Sequence, residues 1–516
     1  MGKPAALQSD QRRPRHTLAS NESVATVDEI QGSPSPCHQV DGGDSKDGET
    51  SGYSIPFLPE DIWRRIHSLM PVDAAARAAC LSHTFLTSWR CYPKLTLNRH
   101  TLCSKARGGN LRCRIIDNIL RNHSGIGLKI LRLHLCSEYS SFPYIDNWLQ
   151  VAVTLGIEEL TLWLHKKYKF PCSLLSDGVR SSIRCLQLDF CVFHPTLELG
   201  PLRSLTRPRP RDVRITGEEL ECLLSNSLAL EHLDLCNCKE IIFLKIPSVP
   251  RQVSYLRVWG CWDLQVIENK APSLSTFSLI GQVSKLSLGE ASQMMKVLSL
   301  RHANVVCYAR AKLPSITPNL DTLVLGSSAE VNTSMLPTKF LNLKHLSIQI
   351  SGATLPPSYD YFSLVSFLDA SPSLETWYLE VSQEDMEHES VFGGSLDLRQ
   401  LREYHHDSLK SVEIIGFSSA RGLVELTCCV VKSAVSLERL TLDTLRGGGR
   451  CSGGNNGDCS DQICCPVSKA VVEEAFRGVA AIRKYIEDKV PSTTKLIVLE
   501  PCLRCHTTTV LDYYGM

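Results

Sequence analysis

A short motif of the form L-x-x-L-x-L returns along most of this chain and restricts its fold more than any other feature of the 516 residues. It reads LKILRL at 128, IEELTL at 157, IRCLQL at 183, LEHLDL at 230, VSYLRV at 253 and LSTFSL at 274. It continues as MKVLSL at 295, LDTLVL at 320, LKHLSI at 343, LETWYL at 374, LKSVEI at 409 and LERLTL at 437, with a weaker copy, PRDVRI, at 210. Steps from 210 to 343 are 20 to 25 residues long, and later ones stretch to 28–35. Strand side chains alternate faces, so the closing L-x-L sets two leucines on one side. A single such unit buries too little by itself, whereas stacked copies share a continuous core. The expected fold is α/β: a curved parallel sheet with one strand per unit, wound as a solenoid over 110–446 and irregular toward its C-terminal repeats.

The cysteines keep phase with the motif. Cys136, Cys191 and Cys238 stand three residues after the last strand leucine, and Cys261 follows Val258 by the same offset. Ala303, Ser328, Ser351 and Ser382 hold that place in other units. A small side chain at one fixed phase suits a tight turn leaving the strand. The 22 cysteines are therefore expected to be reduced and packed as small hydrophobes, in a chain whose start shows no export signal.

The remaining segments divide by composition. Residues 1–52 are rich in Ser, Pro, Gly and Asp and read as a disordered tail. Residues 447–466, GGGRCSGGNNGDCSDQICCP, read as a flexible Gly/Cys-rich loop. Over 467–510 a helix with Val472, Ala475, Phe476, Val479, Ile482 and Ile486 on one side precedes the strand-like KLIVLE, a unit suited to capping the solenoid. Lys plus Arg (55) balances Asp plus Glu (54), so no general field exists for nucleic acid or an anionic membrane. No apolar run approaches the ~20 residues of a membrane span. The expected location is nucleus and cytoplasm.

Catalytic chemistry finds little support. The chain carries no G-x-x-x-x-G-K-[ST], G-x-S-x-G or H-E-x-x-H. Cys502-Leu503-Arg504-Cys505-His506 has the haem-attachment spacing without an export context, and zinc would need a second short pair beside Cys451, Cys459, Cys464 and Cys465. Tyr404-His405-His406-Asp407 reads as a polar loop, because adjacent residues of an extended segment point apart. No cofactor and no metal site is expected.

Between 55 and 98 the pattern is helical. Pro59 suits a helix start, and Glu60 and Asp61 suit its positive end. Ile62, Ile66 and Leu69 share a face, Met70-Pro71 ends the helix, and two further short helices run to Trp89. This segment resembles an F-box in Leu58-Pro59, Ile62, Ile66, Leu69, Met70-Pro71, Asp73, Arg77, Leu81-Ser82 and Trp89. It departs from the family pattern at Met70, where leucine is usual, and in HTFLTSW, where many members read V-S-K-x-W. With the cysteine-type repeat LEHLDLCNCKEI, the chain from about 55 to 506 resembles plant F-box proteins with a leucine-rich-repeat domain.

The resemblance implies a non-catalytic substrate receptor of an SCF-type ubiquitin ligase. Its F-box would bind a Skp-type adaptor, and through it cullin and RING subunits, by Leu58, Pro59, Ile62, Ile66, Leu69, Leu81 and Trp89. A protein client would lie on outward strand positions, which include Arg132, His134, Trp163, Asp189, Asp234, Arg257, Trp259, Arg301, Tyr378 and Glu380. Trp163, Trp259 and Tyr378 are favoured there, since aromatics dominate binding hot spots. The alternative is a repeat scaffold with a degenerate F-box that binds partners without degrading them.

Overall fold

Fifteen strands lie side by side in one wholly parallel sheet, and three short helices precede it. The computed structural model describes residues 58–98, 100–101, 109–135, 142–196, 199–331, 339–351, 359–383, 388–393, 398–399, 405–445 and 467–501. The tail 1–52, the 447–466 loop, Cys136, Tyr404 and the Cys502–His506 motif lie outside them.

The helices are α1 (Glu60–Leu69), α2 (Val72–Ala79) and α3 (His83–Arg90). The strands begin with β1 (Lys94–Leu97), β2 (Ile130–His134), β3 (Glu159–Lys169), β4 (Cys185–Val192), β5 (Arg207–Arg211) and β6 (His232–Cys236). Next come β7 (Phe243–Ile246), β8 (Tyr255–Trp259), β9 (Val266–Asn269), β10 (Thr276–Ile280), β11 (Lys285–Ser287) and β12 (Val297–Arg301). The last are β13 (Thr322–Ser327), β14 (His345–Ile350), β15 (Thr376–Val381), β16 (Ser411–Ile415), β17 (Arg439–Asp443) and β18 (Lys495–Leu499). The long sheet takes all of these in chain order except β7, β9 and β11, which form a second parallel sheet.

Each motif leucine pair is buried against the same layer of its neighbours. Leu256 and Val258 of β8 sit level with Leu233 and Leu235 of β6 and with Phe277 and Leu279 of β10, all essentially without solvent contact. Full burial of such a side chain stabilises by roughly 1.5–3 kcal/mol, and the sum is shared along one continuous core. Unit length decides how the chain returns. Strand starts at 232, 255, 276 and 297 are 21 to 23 residues apart, and these units return through β7, β9 and β11. The β12-to-β13 unit, from 297 to 322, returns through helix Val305–Ile316. An extended chain covers about 3.3 Å per residue against 1.5 Å in a helix, so the shorter units return as strand.

The turns after the strands bear out the phase of the cysteines. Asn237 (φ 53°) and Gly260 (φ 67°) leave their strands in the left-handed conformation, and Cys238 and Cys261 follow them into the core. The Cys238 thiol donates to the Cys236 carbonyl at 3.5 Å, and Cys191 donates to Asp189 in the same way at 3.5 Å. Burial pushes the Cys191 thiol far up, so it stays protonated.

One edge carries a rail of alternating charge. From β12 to β17 the residue two before the first inward strand side chain runs Lys296, Asp321, Lys344, Glu375, Lys410, Glu438, joined in sequence by backbone hydrogen bonds of 2.8–2.9 Å. Lys344 pairs with Asp321 at 3.7 Å and Lys410 with Glu375 at 3.0 Å.

Four expectations are corrected. PRDVRI does not supply the strand of its unit. β5 is Arg207–Arg211, with Pro208 and Pro210 facing inward. Arg207 donates back to Arg184, so by alternation positions 208 and 210 would donate toward β6, and proline has no N–H. The β5–β6 ladder is accordingly reduced to Arg211 opposite Cys236. The solenoid begins before 110, since β1 lies within the segment assigned to the helical module and pairs with β2. In helix Lys469–Tyr485, Phe476, expected on the apolar side, is 37% exposed, and Val471, outside that stripe, is buried. His406 is not in a polar loop: it is buried, with Nε2 2.9 Å from the Ser371 carbonyl and Nδ1 accepting from the Leu409 N–H.

Candidate functional site

The three helices are held by a ring of aromatic side chains that leaves their aliphatic stripe outside. α1 starts after Pro59, and Ser82 caps α3 by accepting from the Thr84 N–H at 3.2 Å. His67 is buried between them, with Nε2 2.9 Å from the Ala75 carbonyl. Its ring lies 5.5 Å from Phe85, 6.3 Å from Trp89 and 5.7 Å from Tyr92. Trp89 and Tyr92 stack at 5.5 Å, and the Tyr92 hydroxyl donates to the Met70 carbonyl at 2.8 Å. Burial pushes the His67 imidazole below its ordinary range, partly offset by the Ala75 carbonyl.

The aliphatic stripe is left to solvent. Ile62 is 42% exposed, Ile66 38%, Leu69 69% and Leu81 85%. Pro59 is exposed and Leu58 half-buried. These large aliphatic side chains form an exposed apolar surface on a short module, where scattered single ones would be unremarkable. Trp89 does not belong to it. The expected contact is 7% exposed and is part of the packing that fixes α3.

The sheet's outer face carries three lanes, one for each outward strand position. The last lane runs His134, Trp163, Asp189 and Arg211 across β2 to β5. It continues through Trp259, Ile280, Arg301, Gly326, Gln349 and Glu380 across β8 to β15. Trp163 and Trp259 are 42% and 39% exposed, and the Arg257 guanidinium lies 5.4 Å over the Trp259 ring. Tyr378 is half-buried and donates to Glu380 at 3.1 Å. Arg132 forks onto Glu159 at 2.6 and 3.0 Å, and Arg257 pairs with Asp234 at 3.8 Å.

Residues 119–503 match the sequence model of a family described as At1g61320/AtMIF1, LRR domain. The chain belongs to this leucine-rich-repeat family. Among its relatives is the Arabidopsis thaliana F-box/LRR-repeat protein At3g03360, 23% identical over 352 residues, which are 63% of this chain and 70% of that one. Another is the Arabidopsis FBD-associated F-box protein At5g56370, 26% identical over 315 residues, 57% of this chain and 68% of that one. These relatives are named for an F-box together with leucine-rich repeats, and this chain joins a three-helix module to an open repeat face.

On that F-box/leucine-rich-repeat frame the expected client residues share a face without forming one cluster. Trp163 and Trp259 are four strands apart, about 19 Å at the usual spacing, and Tyr378 lies farther on. Asp189 is a correction: it occupies an outward lane position yet is buried, between Trp163 and Arg211 and with Gln187 Nε2 3.4 Å from Oδ1. Burial pushes its carboxyl up to about 6, with Gln187 and Arg211 opposing. Trp262 was missed. It is 66% exposed and lies just past β8, outside the L-x-x-L-x-L frame that selected the other positions. Among the described residues no group of three His, Cys, Asp or Glu side chains could hold a metal, and no helix is long and apolar enough to cross a membrane.

Proposed function

We propose that this protein is the client-selecting subunit of an SCF-type ubiquitin ligase. The exposed stripe of Ile62, Ile66, Leu69 and Leu81 docks a Skp-type adaptor, which brings the cullin and RING subunits. The repeat face holds a protein client in reach of the transferred ubiquitin, and the protein works in the nucleus and cytoplasm. One observation carries this reading: the module satisfies its own core with His67, Phe85, Trp89 and Tyr92, so the four aliphatics outside it are not needed for packing. Their burial against a partner would recover the hydrophobic free energy they forgo in solvent.

Met70 deepens the same point. It packs half-buried against the core, and its carbonyl is tied to Tyr92, so its departure from leucine falls on the inner side of the module. The test is co-purification of the full chain with a Skp-type adaptor, repeated with Ile66→Ala and Leu69→Ala together. Adaptor capture by the intact chain and its loss in the double variant support the reading. Failure of the intact chain to capture adaptor overturns it and leaves a scaffold that binds without degradation.

A further inference from the structure

A cleft of about 580 Å³ opens at the end of the outer lane where β10 to β15 finish. Its volume falls within the range of ligand sites. Ile280, Arg301, Gly326, Gln349 and Glu380 form its floor, strand by strand, and Trp262 also lines it.

Two features distinguish Arg301 from Arg132 and Arg257 on this face. Arg132 and Arg257 are already matched to Glu159 and Asp234, whereas Arg301 is exposed and meets no carboxylate among the described residues. The chain also makes room for it. A Cβ at position 326 would stand 2.7 Å from Arg301 Cγ, so a glycine in the neighbouring strand lets the arginine stem lie across the cleft floor. Beside it, Ile280 is its register partner on β10, and the Trp262 indole is 66% exposed. At the far end, three strands away or about 14 Å, stands the Glu380 carboxylate. Its Oε2 accepts from Tyr378 and Gln349, both at 3.1 Å. That negative charge disfavours a run of acidic residues across the cleft.

Resting on the reading of this face as the client surface, we propose that the cleft selects a client segment by one carboxylate set beside a bulky apolar side chain. The Asp or Glu of the client takes the Arg301 fork. The apolar neighbour, one or two positions away in an extended peptide, packs on Trp262 and Ile280. A charge-assisted, bidentate contact in a half-enclosed site gives affinity and orientation together. The exposed indole supplies the anchor area on which such interfaces depend.

The test uses the full-length protein and a phage library of random decapeptides, with Arg301→Gln and Trp262→Ser selected in parallel. The intact protein enriches peptides that pair an acidic residue with a large apolar one. Arg301→Gln loses the acidic preference but keeps the apolar one, Trp262→Ser does the reverse, and each weakens the best peptide by about tenfold or more. Absence of acidic enrichment in the intact protein, or its persistence in Arg301→Gln, overturns the proposal. Adaptor capture and thermal melting on the same preparations keep the two readings apart. A chain that captures adaptor yet selects no such peptide fails this proposal alone.

Discussion

His123 donates through Nε2 to the Tyr92 carbonyl at 2.8 Å while its Nδ1 accepts the Gly125 N–H at 3.0 Å. These two bonds use both nitrogens of the neutral ring, and they tie the first repeat to the residue on which His67 and Trp89 pack. Burial pushes both His123 and His67 below the ordinary histidine range. Above about pH 6.5 both rings are neutral folded or unfolded and their contribution to stability is flat. As pH falls below that, the unfolded chain takes up protons first, so stability drops until the folded value is passed. Denaturation midpoints at pH 7.5 and 5.5 check this, with His123→Gln expected to reduce the slope. A pH slope as steep in His123→Gln as in the intact protein would contradict it.

Asp189 works in the opposite sense. Its carboxyl is raised to about 6, so the fold favours the protonated form, and a penalty develops as pH rises from about 4 to 6. Asp189→Asn should stabilise the protein at pH 7.5, by up to about 2–3 kcal/mol, and do little at pH 4. Thermal melts of the two proteins across that range give the answer. Equal Tm gains at both pH values would assign the effect to packing.

Gly416 combines two demands at one position. Its φ of 75° is left-handed, and a Cβ there would overlap the carbonyl oxygen of Val381 at the end of β15. Backbone, unlike a side-chain tip, cannot swing aside. Gly416→Ala should cost about 2 kcal/mol or more, well beyond the conformational term alone. A urea midpoint unchanged from the parent would show that the turn can open.

The charge rail makes a salt-dependent prediction. Lys410→Glu would set three carboxylates in a row, at 375, 410 and 438. The Glu375 carboxyl, now held down by its bond to Lys410, would lose that partner. The variant should melt below the parent at low salt and approach it near 1 M, where screening shortens to about 3 Å. Adding Glu375→Lys restores alternation only in part, because Lys344 then meets a like charge. A deficit independent of salt would rule out the electrostatic origin.

The strand positions were legible because period-two leucines recur at one spacing, and each buried pair found by that rule is buried in the structure. Other features depend on neighbours that a local pattern does not contain. β5 was displaced because Val213 and Ile215 imitate a strand pair while the real strand hides its inward positions in Pro208 and Pro210. His67 escaped notice because its partner, the Ala75 carbonyl, arrives from another helix. Asp189 lies on the expected face, yet the strands on either side bury it. On α1–α3 the apolar spacing located the stripe without showing that Trp89 turns inward and Leu81 outward.

That division predicts how the module should respond to charge. Leu69 and Leu81 are 69% and 85% exposed, so Leu69→Asp with Leu81→Asp removes little buried area and should leave the Tm nearly unchanged. Adaptor capture should fail, because a carboxylate forced into an apolar interface must be desolvated without a partner. Trp89→Ala should behave oppositely, with a loss of about 3–5 kcal/mol from the emptied aromatic core and weaker capture only as a consequence of unfolding. Capture and melting measured on both variants separate contact from support. Retained capture by the double aspartate variant would remove Leu69 and Leu81 from the docking face.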